Sequence, residues 1–512
     1  MPVPPTPSPD QGSRRSPYEL WAGGALLSSL LVVVILSAWV SDDAYFSFRS
    51  SWNLAYGHGL GFDPSERVQA FTNPLWTLLL APPQRLGLDA YHAAMLLSLG
   101  STGAVGWLFL RSHKLGTAAI AIGLLTCSKA FVDFSTSGLE GPATHLLVLL
   151  LFLEGSNGPE SSPRSRRTGV LAGLLLLNRL DSALLVGPIL LHRLARSSSR
   201  DRVNTLVPVV VIIGSWEVFS LIYYGTFLPN TYFAKLGGGA EANATVGQGL
   251  TYLAQSLDLD WVTTPTLVLG LAAGIFGKSS EGRTWALTIV LFCSYVVLVG
   301  GDFMSGRFLT APFLLATALL VQRIADRAPG RTGPVLAFIL LAGLLSPGSP
   351  LRTGPSFGTD RSPELYIDSD GIADERAFYY PRTGLLRPRN GGPLSPAPMH
   401  RTSEPTLTGV RRDNGALYPY EAGPGMHFIG EWALADAFLA RLPPPDPRGR
   451  PGHVIRPIPS GYDETLDSGK NRIEDPEMAR IFDETQQVVA GPLWTTQRWR
   501  LIWEQRGFRA NF

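Results

Sequence analysis

Two adjacent carboxylates, Asp42 and Asp43, follow directly on an apolar stretch that begins near residue 19. A run of about 20 apolar residues suffices to cross the hydrocarbon core of a bilayer, so the pair is predicted to stand where the chain leaves lipid. A carboxylate within hydrogen-bond reach of a hydroxyl can take its proton and act as a general base. The same position also fits an ordinary solvated span end, because a carboxylate costs less at the interface than in hydrocarbon.

Cationic side chains occur at three other boundaries between apolar and polar sequence. Arg179 stands in NRLD, Lys235 in YYGTFLPNTYFAK and Arg307 in GGDFMSGRF. The planar fork of arginine can bind two oxygens of a phosphate group, which makes these residues candidates for binding a phosphate. Taken singly, each also fits a structural ion pair or a flanking charge that reaches the interface.

The composition is that of a membrane protein. Charged residues make up 16% of the chain and hydrophobic residues 45%, and the apolar residues are grouped in long blocks. The net charge of +2 gives no reason to expect a nucleic-acid partner. Cys127 and Cys293 both fall inside apolar blocks, which argues against a disulfide framework and against a cysteine metal site.

Clusters of Lys and Arg predict the topology, because cytoplasmic loops carry the excess of positive charge. All the clusters fall on one side if the chain makes about eleven spans, with the N-terminus inside and the C-terminus outside. Residues 72–88 must then not cross, and the pair Pro82-Pro83 predicts an interfacial helix there instead. The predicted spans are 19–40, 90–110, 115–133, 141–155, 169–180, 182–196, 204–224, 263–277, 284–300, 307–323 and 334–347.

This topology divides the chain into three parts. Residues 1–18 form a Pro-rich cytoplasmic tail, and residues 19–348 form the transmembrane domain, whose first outer loop is 41–89. Residues 349–512 are polar and rich in Pro and Gly, which predicts an extracytoplasmic domain of α/β or loop-rich character. Within that domain the stretch EWALADAFLARL predicts an amphipathic helix.

The topology also places the unusual polar residues of at least five loops on one membrane face. No single residue decides the matter, but carboxylates and cations that converge on one face favour a functional site. The residues concerned include Asp42, Asp43, Glu140, Arg179, Asp181, Lys235, Asp302 and Arg307.

Several stretches resemble a known family, in order along nearly the whole chain. DDAYFSFRSSWNLAYGHGLGFDPSERVQAFTNPLW is similar to the first outer loop of bacterial GT-C-fold glycosyltransferases, above all the family of the mycobacterial terminal β-(1→2)-arabinofuranosyltransferase. STSGLE, YYGTFLPNTYFAK, GGDFMSGRF and, in the tail, DGIADERAFYYPRTGLL resemble the same family, as does LADAFLARLP with RPGHVIRPIPSGY. NRLD departs from it, because the family more often has Arg-Pro-Asp there. A branch of the family is associated with control of the flagellar motor.

The resemblance implies a polytopic α-helical membrane protein with the GT-C fold, in the bacterial inner (cell) membrane, with an extracytoplasmic C-terminal domain. It implies an inverting glycosyltransferase that moves a sugar, such as arabinofuranose, to an envelope polysaccharide on the outer face. The donor implied is a polyprenyl-phosphoryl sugar similar to decaprenyl-phosphoryl-arabinose, whose lipid chain stays in the bilayer.

Within that reaction the residues take expected roles. One of Asp42 and Asp43 is the base, and we favour Asp42 narrowly while leaving the choice open. Fixed cations must stabilise the phosphate that leaves. The candidates for that role are Arg179, Lys235 and Arg307. The candidates for orienting the sugar are Glu140, Asp181, Asp302, Trp52 and Tyr232, although an aromatic residue at this level also serves as an interfacial anchor.

Metal use is left open by the sequence. The carboxylates of Asp42, Asp43 and Glu140 are hard oxygen donors that would suit Mg²⁺, Mn²⁺ or Ca²⁺. No spacing in the chain specifies such a site, so no cofactor is predicted with certainty.

Two other classes of function compete with the transferase. The first is a non-catalytic membrane protein for assembly or motor control, as the motor-associated relatives imply. The second is a transporter of the lipid-linked sugar, which would carry ionisable groups at mid-membrane and an internal repeat. Neither of those two features is evident in the sequence.

Overall fold

A computed structural model of the chain describes residues 16–155, 162–235, 242–327, 332–355, 367, 369–386, 409–443 and 454–505. The membrane part, as far as it is described, is built of helices. In chain order these are α1 Pro17–Leu36, α2 Ala44–Ala55, α3 Pro74–Arg85, α4 Ala90–Ser112, α5 Leu115–Cys127, α6 Lys129–Asp133, α7 Gly141–Gly155, α8 Ser162–Asn178, α9 Ala183–Arg196, α10 Ser199–Tyr223, α11 Asn230–Lys235, α12 Ala242–Leu259, α13 Thr263–Ile275, α14 Ser280–Leu298, α15 Thr310–Arg327 and α16 Thr332–Leu345.

Helices long and apolar enough to cross a membrane occur throughout this part. Among the residues that the structure describes, five helices meet that criterion by length and composition, and four shorter apolar helices accompany them. The protein is therefore a polytopic helical membrane protein. The five are Pro17–Leu36, Ala90–Ser112, Ser199–Tyr223, Ser280–Leu298 and Arg307–Ala325.

A helix overlaps each predicted span, but the boundaries differ. The first predicted span runs to residue 40, whereas α1 ends at Leu36. The predicted span 115–133 is divided, because α5 ends at Cys127 and Ser128 adopts an extended conformation there. The side-chain oxygen of Ser128 accepts a hydrogen bond from the Phe131 backbone N–H at 3.1 Å and so begins α6.

The segment predicted not to cross contains α3, which has 12 residues. At 1.5 Å per residue such a helix is about 18 Å long, which is short of the roughly 30 Å of hydrocarbon. The helix ends at Arg85, soon after Pro82 and Pro83. Its length agrees with the predicted interfacial helix, although its depth in a bilayer stays a prediction.

The loops sort into two groups, one at each end of the helical bundle. At one end the Asp43 carboxylate lies 3.8 Å from Arg307, and Glu140 pairs with Arg179 at 2.7 Å. We call this the site end. At the opposite end Arg193 pairs with Glu281 at 2.5 Å. The charge-based topology predicts this separation of the pairs, and its eleven spans and its sidedness stay predictions.

As far as the structure describes it, the C-terminal segment combines short helices with one pair of strands. It contains helices α17 Pro350–Thr353, α18 Glu375–Thr383, α19 Leu417–Ala422, α20 Tyr462–Ser468, α21 Pro476–Val489 and α22 Thr496–Gln505. The strands β1 Gly409–Arg412 and β2 Met426–Ile429 pair in parallel, with Gly409 opposite Met426.

The amphipathic helix predicted for EWALADAFLARL is wrong. The stretch forms turns and a 3-10 turn at Leu439–Arg441. The reason lies at Asp436, whose buried carboxylate accepts from the Leu439 N–H at 2.8 Å and from the Tyr462 hydroxyl at 2.8 Å. Such side-chain bonds to nearby backbone compete with helix formation, and tertiary contacts here outweigh the periodic pattern.

Arg49 fastens the C-terminal segment to the first loop. Its fully buried guanidinium donates to the Phe62 and Met426 carbonyl oxygens at 2.7 Å each and pairs with Asp63 at 2.7 Å. A further donor contact goes to the Pro419 carbonyl oxygen. Since one side chain satisfies acceptors from both regions, the loop that carries the two aspartates and the segment above it form one packed unit.

Candidate active site

Asp42 and Asp43 lie in the turn between α1 and α2 at the site end. A close approach holds this turn in place, because the Ser41 N–H donates to the Ser137 carbonyl oxygen at 2.9 Å. Gly138 follows with φ +78°, and a Cβ there would lie 2.7 Å from that of Ala44. Only glycine suits both the backbone conformation and the contact.

The two neighbouring carboxylates have different partners. Asp42 accepts hydrogen bonds from the backbone N–H groups of Ala416 at 3.0 Å and Leu417 at 2.8 Å, in the C-terminal segment. Burial raises the pKa of Asp42 to about 6, although these N–H groups act in the opposite direction. Asp42 therefore ties the C-terminal segment to the start of α2.

Asp43 is the less restrained member of the pair. Its side chain is 36% exposed, and among the described residues its carboxylate makes no hydrogen bond. Burial raises its pKa, while the charges of Arg307 and Lys235 hold that rise back. A carboxylate with a free lone pair, beside cations, is better placed than Asp42 to accept a proton from an incoming hydroxyl.

Arg307 lies at the centre of the charged residues. It pairs with Asp302, and its guanidinium lies 3.8 Å from the Asp43 carboxylate and 5.2 Å from the centre of the Phe308 ring. Asp302 is itself held by the Phe303 N–H at 2.8 Å. The arginine is thus fixed from one side and faces Asp43 on the other.

Lys235 closes this group from the end of α11. It makes no ion pair within 4 Å to any residue that the structure describes. Loss of hydration, and then the charge of Arg307, lower the pKa of Lys235. A cation with no carboxylate of its own is free to bind an anion.

Arg179 is held by carboxylates on two sides. It pairs with Glu140 at 2.7 Å and with Asp181 at 2.5 Å, and the Asn73 amide donates to Glu140 at 2.7 Å. Its guanidinium lies 5.6 Å from the centre of the Phe308 ring. Phe308 therefore contacts both arginines, which places the Arg179 pairs beside Arg307.

Glu375 joins these residues and was missed by the sequence reasoning. It comes from α18, is 8% exposed, and accepts a hydrogen bond from the Ser41 hydroxyl at 3.3 Å. Burial, and then the nearby charge of Asp43, raise its pKa well above the ordinary value. The stretch DGIADERAFYYPRTGLL carried the family resemblance, but nothing in it linked Glu375 to Asp43.

The comparisons with known proteins bear on the fold. The chain is 28% identical over 341 residues to the terminal β-(1→2)-arabinofuranosyltransferase of Corynebacterium glutamicum, covering 56% of this chain and 49% of that protein. It is 27% identical over 414 residues to the protein of that name from Mycobacterium tuberculosis, covering 68% and 64%. The chain thus spans about half to two thirds of the length of these relatives. No family model matches it.

A solved structure decides the architecture. The crystal structure of ArnT from Cupriavidus metallidurans bound to undecaprenyl phosphate superposes with a TM-score of 0.53 at 13% identity, over 81% of this chain and 86% of ArnT. This chain has a GT-C fold. The resemblance seen in the motifs, to GT-C proteins of the terminal arabinofuranosyltransferase type, is confirmed.

Within this GT-C site the two aromatic candidates lie in different surroundings. Trp52 is only 4% exposed and packs against Tyr56 and His58, with ring centres at 4.6 and 5.4 Å. Its ring is therefore covered, and the structure does not bring it to the charged residues. Tyr232 is 44% exposed beside Phe233 and stays a candidate for contact with a sugar.

The three carboxylates named as metal ligands do not meet. Among the described residues no group of three or more His, Cys, Asp or Glu side chains is arranged to hold a metal ion. Asp42 is occupied by two backbone N–H groups, and Glu140 by Arg179 and Asn73. The geometry therefore does not support Asp42, Asp43 and Glu140 as a joint ligand set.

A further cavity of about 330 Å³ lies at the opposite end of the GT-C bundle. Its lining includes Glu154, Arg164, Arg193 and Glu281, and these four pair with one another at 3.7 and 2.5 Å. These four charges are matched within the lining, which also contains His192 and Arg196.

Proposed function

We propose that this chain is an inverting glycosyltransferase that uses a polyprenyl-phosphoryl sugar as donor. The observation that carries the proposal is the Asp43 carboxylate, without a hydrogen bond among the described residues and 3.8 Å from Arg307, at the end of the membrane-spanning helices. A base and a phosphate-binding cation side by side are what such a transfer needs.

Asp43 is the proposed base, in place of the narrowly favoured Asp42. The acceptor hydroxyl oxygen attacks the anomeric carbon, and its proton passes to the Asp43 carboxylate. The bond between that carbon and the phosphate oxygen breaks, and the phosphate leaves with the electron pair. Asp42 serves as a positioning residue, because its bonds to the Ala416 and Leu417 N–H groups hold the turn in place.

Arg307 and Lys235 are proposed to bind the phosphate of the donor. Charge grows on that group as the sugar leaves, and preorganised cations stabilise it without having to reorganise. Lys235 has no ion pair among the described residues, so an arriving phosphate need not displace a carboxylate from it. Arg179, already paired with Glu140 and Asp181, is proposed to orient these carboxylates toward the sugar hydroxyls.

The donor and acceptor classes follow from position and from the relatives. The site lies where helices leave the bilayer, so a sugar phosphate can reach it while its prenyl chain stays in lipid. We propose arabinofuranose as the sugar, an envelope polysaccharide as the acceptor, and the outer face of the bacterial inner membrane as the place. The names of the two relatives, and the undecaprenyl phosphate bound to ArnT, support these choices.

The test compares three aspartate variants in membranes supplied with decaprenyl-phosphoryl-arabinose and an arabinan acceptor. Asp43→Asn should lower the transfer rate by about 100- to 10,000-fold, which is the usual contribution of a general base. Asp42→Asn should lower it less, because the amide oxygen can still accept from Ala416 and Leu417. Asp467→Asn, at an exposed position in α20, is the matched control.

Each other outcome would contradict the proposal in a definite way. Transfer by Asp43→Asn at the wild-type rate would remove Asp43 as the base. Movement of the labelled donor across the membrane without a new glycosidic bond would indicate a transporter. A deletion phenotype that all three variants rescue fully would indicate a non-catalytic assembly protein.

A further inference from the structure

The turn before α22 and α22 itself carry an exposed aromatic surface. Trp494 is 73% exposed and Trp503 is 57% exposed, and the ring of Trp494 stacks on that of Trp499 at 6.3 Å and 28°. Trp499 and Trp503 are four residues apart on α22 and therefore lie on the same side of it. We call these three residues the tryptophan surface. A contiguous exposed apolar patch marks a surface that contacts a protein, a ligand or a membrane.

The hairpin of α21 and α22 is fastened to the last turn of the spanning helix α10. The buried Arg498 donates to the Tyr223 carbonyl oxygen at 3.1 Å and to that of Val488 at 2.9 Å. Gly225, just beyond α10, has φ +81°, and a Cβ there would lie 2.5 Å from a Val488 methyl group. The hairpin thus packs directly on the end of a membrane helix.

Apolar contacts continue this attachment toward the bilayer. Leu221, in the last turn of α10, packs with Trp499 and Leu501 against a small core that includes Val488 and Ile502. Leu221 lies within the helix that is long and apolar enough to span. Trp499 is therefore at the level where that helix leaves the hydrocarbon.

The face of α10 next to this contact is exposed and apolar. Val207, Val211 and Val218 are 51%, 60% and 59% exposed, and only 17% of the apolar window of the helix is buried within the protein. Such a surface on a spanning helix faces lipid. Val218 is one turn before Leu221, so the lipid-facing surface is continuous with the tryptophan surface.

We propose that the tryptophan surface sits in the headgroup region of the leaflet at the site end and anchors the C-terminal segment to the bilayer. Tryptophan favours this region because its ring is apolar while its N–H can bond to polar groups. The polar groove between α21 and α22 is lined by other residues, among them Arg480, Glu484, Arg500 and Glu504. A polar side and an aromatic side on one element are typical of an interfacial helix.

The anchor can be tested by fluorescence of the full-length protein in liposomes. The double variant Trp494→Phe/Trp503→Phe removes two emitters, and the difference from wild type reports on their surroundings. Lipids brominated near the headgroup should quench this difference signal more strongly than lipids brominated at the chain end. Trp52→Phe is the matched control, because the Trp52 ring is 4% exposed and should give a difference signal that neither lipid quenches.

Two results would overturn the anchor. One is a difference signal that iodide in the water quenches and brominated lipid does not. The other is a signal that responds to a soluble arabinan oligosaccharide and not to lipid, which would make the surface a platform for sugar rings. Both phenylalanine replacements are at exposed positions, so circular dichroism should confirm that the variant is folded before either result is read. The assay needs no transfer activity and is independent of the proposed reaction.

Discussion

Two charged clusters at the site end differ in how completely their charges are matched. Lys129, Asp133, Asp374 and Arg376 form what we call the Lys129 network. Lys129 pairs with Asp133 and, at 3.1 Å, with Asp374, while Arg376 pairs with Asp133 at 3.1 Å. Two cations and two anions thus join α6 to the start of α18.

The second group of charged residues is only partly matched. We call it the Asp43 cluster, and it consists of Asp43, Arg307, Asp302, Lys235 and Glu375. Arg307 pairs with Asp302, but Lys235 has no ion pair and the Asp43 carboxylate has no hydrogen bond among the described residues. Glu375 has a hydroxyl for a partner and no cation within 4 Å in the described chain.

The comparison distinguishes the Lys129 network, whose paired charges stabilise the fold, from the Asp43 cluster, whose unpaired charges are available to bind a substrate. Buried ions are tolerated when paired, so a saturated network resists change and has nothing left to offer a ligand. An unsaturated group costs stability, and such groups concentrate where a substrate completes the pairing. The predictions below test this contrast between the Lys129 network and the Asp43 cluster.

The largest expected effect is on stability, in the Lys129 network. Lys129→Met leaves the buried Asp133 and the partly buried Asp374 with less compensation for their charges, and removal of one partner from a buried ion pair typically costs about 3–5 kcal/mol. Thermal unfolding of the purified protein in detergent should show a large fall in the midpoint. The matched variant is Lys235→Met, which removes a lysine with no ion pair among the described residues. If Lys235→Met lost as much stability as Lys129→Met, the proposed difference between the Lys129 network and the Asp43 cluster would be wrong.

The second effect is on rate, in the Asp43 cluster. Arg307→Gln removes the cation nearest to Asp43, and loss of one preorganised donor to a developing anion typically costs about 100- to 1,000-fold in rate. Initial transfer rates with a polyprenyl-phosphoryl arabinose should fall accordingly. Arg382→Gln, at an exposed position at the end of α18, is the control. A loss seen only in binding of the acceptor, with donor use unchanged, would place Arg307 elsewhere in the reaction.

The sequence predicts those features of the two clusters that leave a pattern in the chain, such as charge in loops, and not those that depend on tertiary contacts. Charge asymmetry between loops predicts which loops share one side of the membrane, and in the structure Asp43 lies near Arg307 while Glu140 pairs with Arg179 at the same end of the bundle. Burial within a loop leaves no such signal, so the sequence offers Trp52 as a candidate either for contact with the sugar or for anchoring at the interface, while its ring is covered in the structure.

Contacts that depend on tertiary folding of the tail were also beyond the sequence. Asp42 meets the N–H groups of residues more than 370 positions away, and the sequence separation of 374 to Ala416 carries no local pattern. Glu375 likewise comes from the C-terminal segment, and only tertiary folding brings it to Ser41 and the Asp43 cluster. Asp42 and Asp43 are adjacent and of the same type, so the sequence does not distinguish them. Only the contacts of Asp42 with the C-terminal segment show that the two carboxylates differ, and the choice of base depends on that difference.

The smallest expected effect on the transfer rate is that of replacing Glu375, which differs from the other members of the Asp43 cluster. The pKa of Glu375 is raised, so its carboxyl keeps a proton at pH values where an ordinary glutamate has lost it. Glu375→Gln keeps the size of the side chain and removes its ability to ionise, so transfer at pH values below the folded-state pKa of Glu375 should change by well under the tenfold that corresponds to about 1.4 kcal/mol.

The wild type and Glu375→Gln should differ in how their stability depends on pH, even though their transfer rates are similar. A carboxyl whose pKa is higher in the folded state binds its proton more tightly there, so its stabilisation is present at low pH and is lost as the pH rises through the folded-state pKa. The unfolding midpoint of the wild type should therefore fall more steeply on the alkaline side than that of Glu375→Gln. Parallel curves for the two proteins, or a large loss of transfer in the variant, would mean that Glu375 is ionised in the folded protein and belongs with the charged members of the cluster.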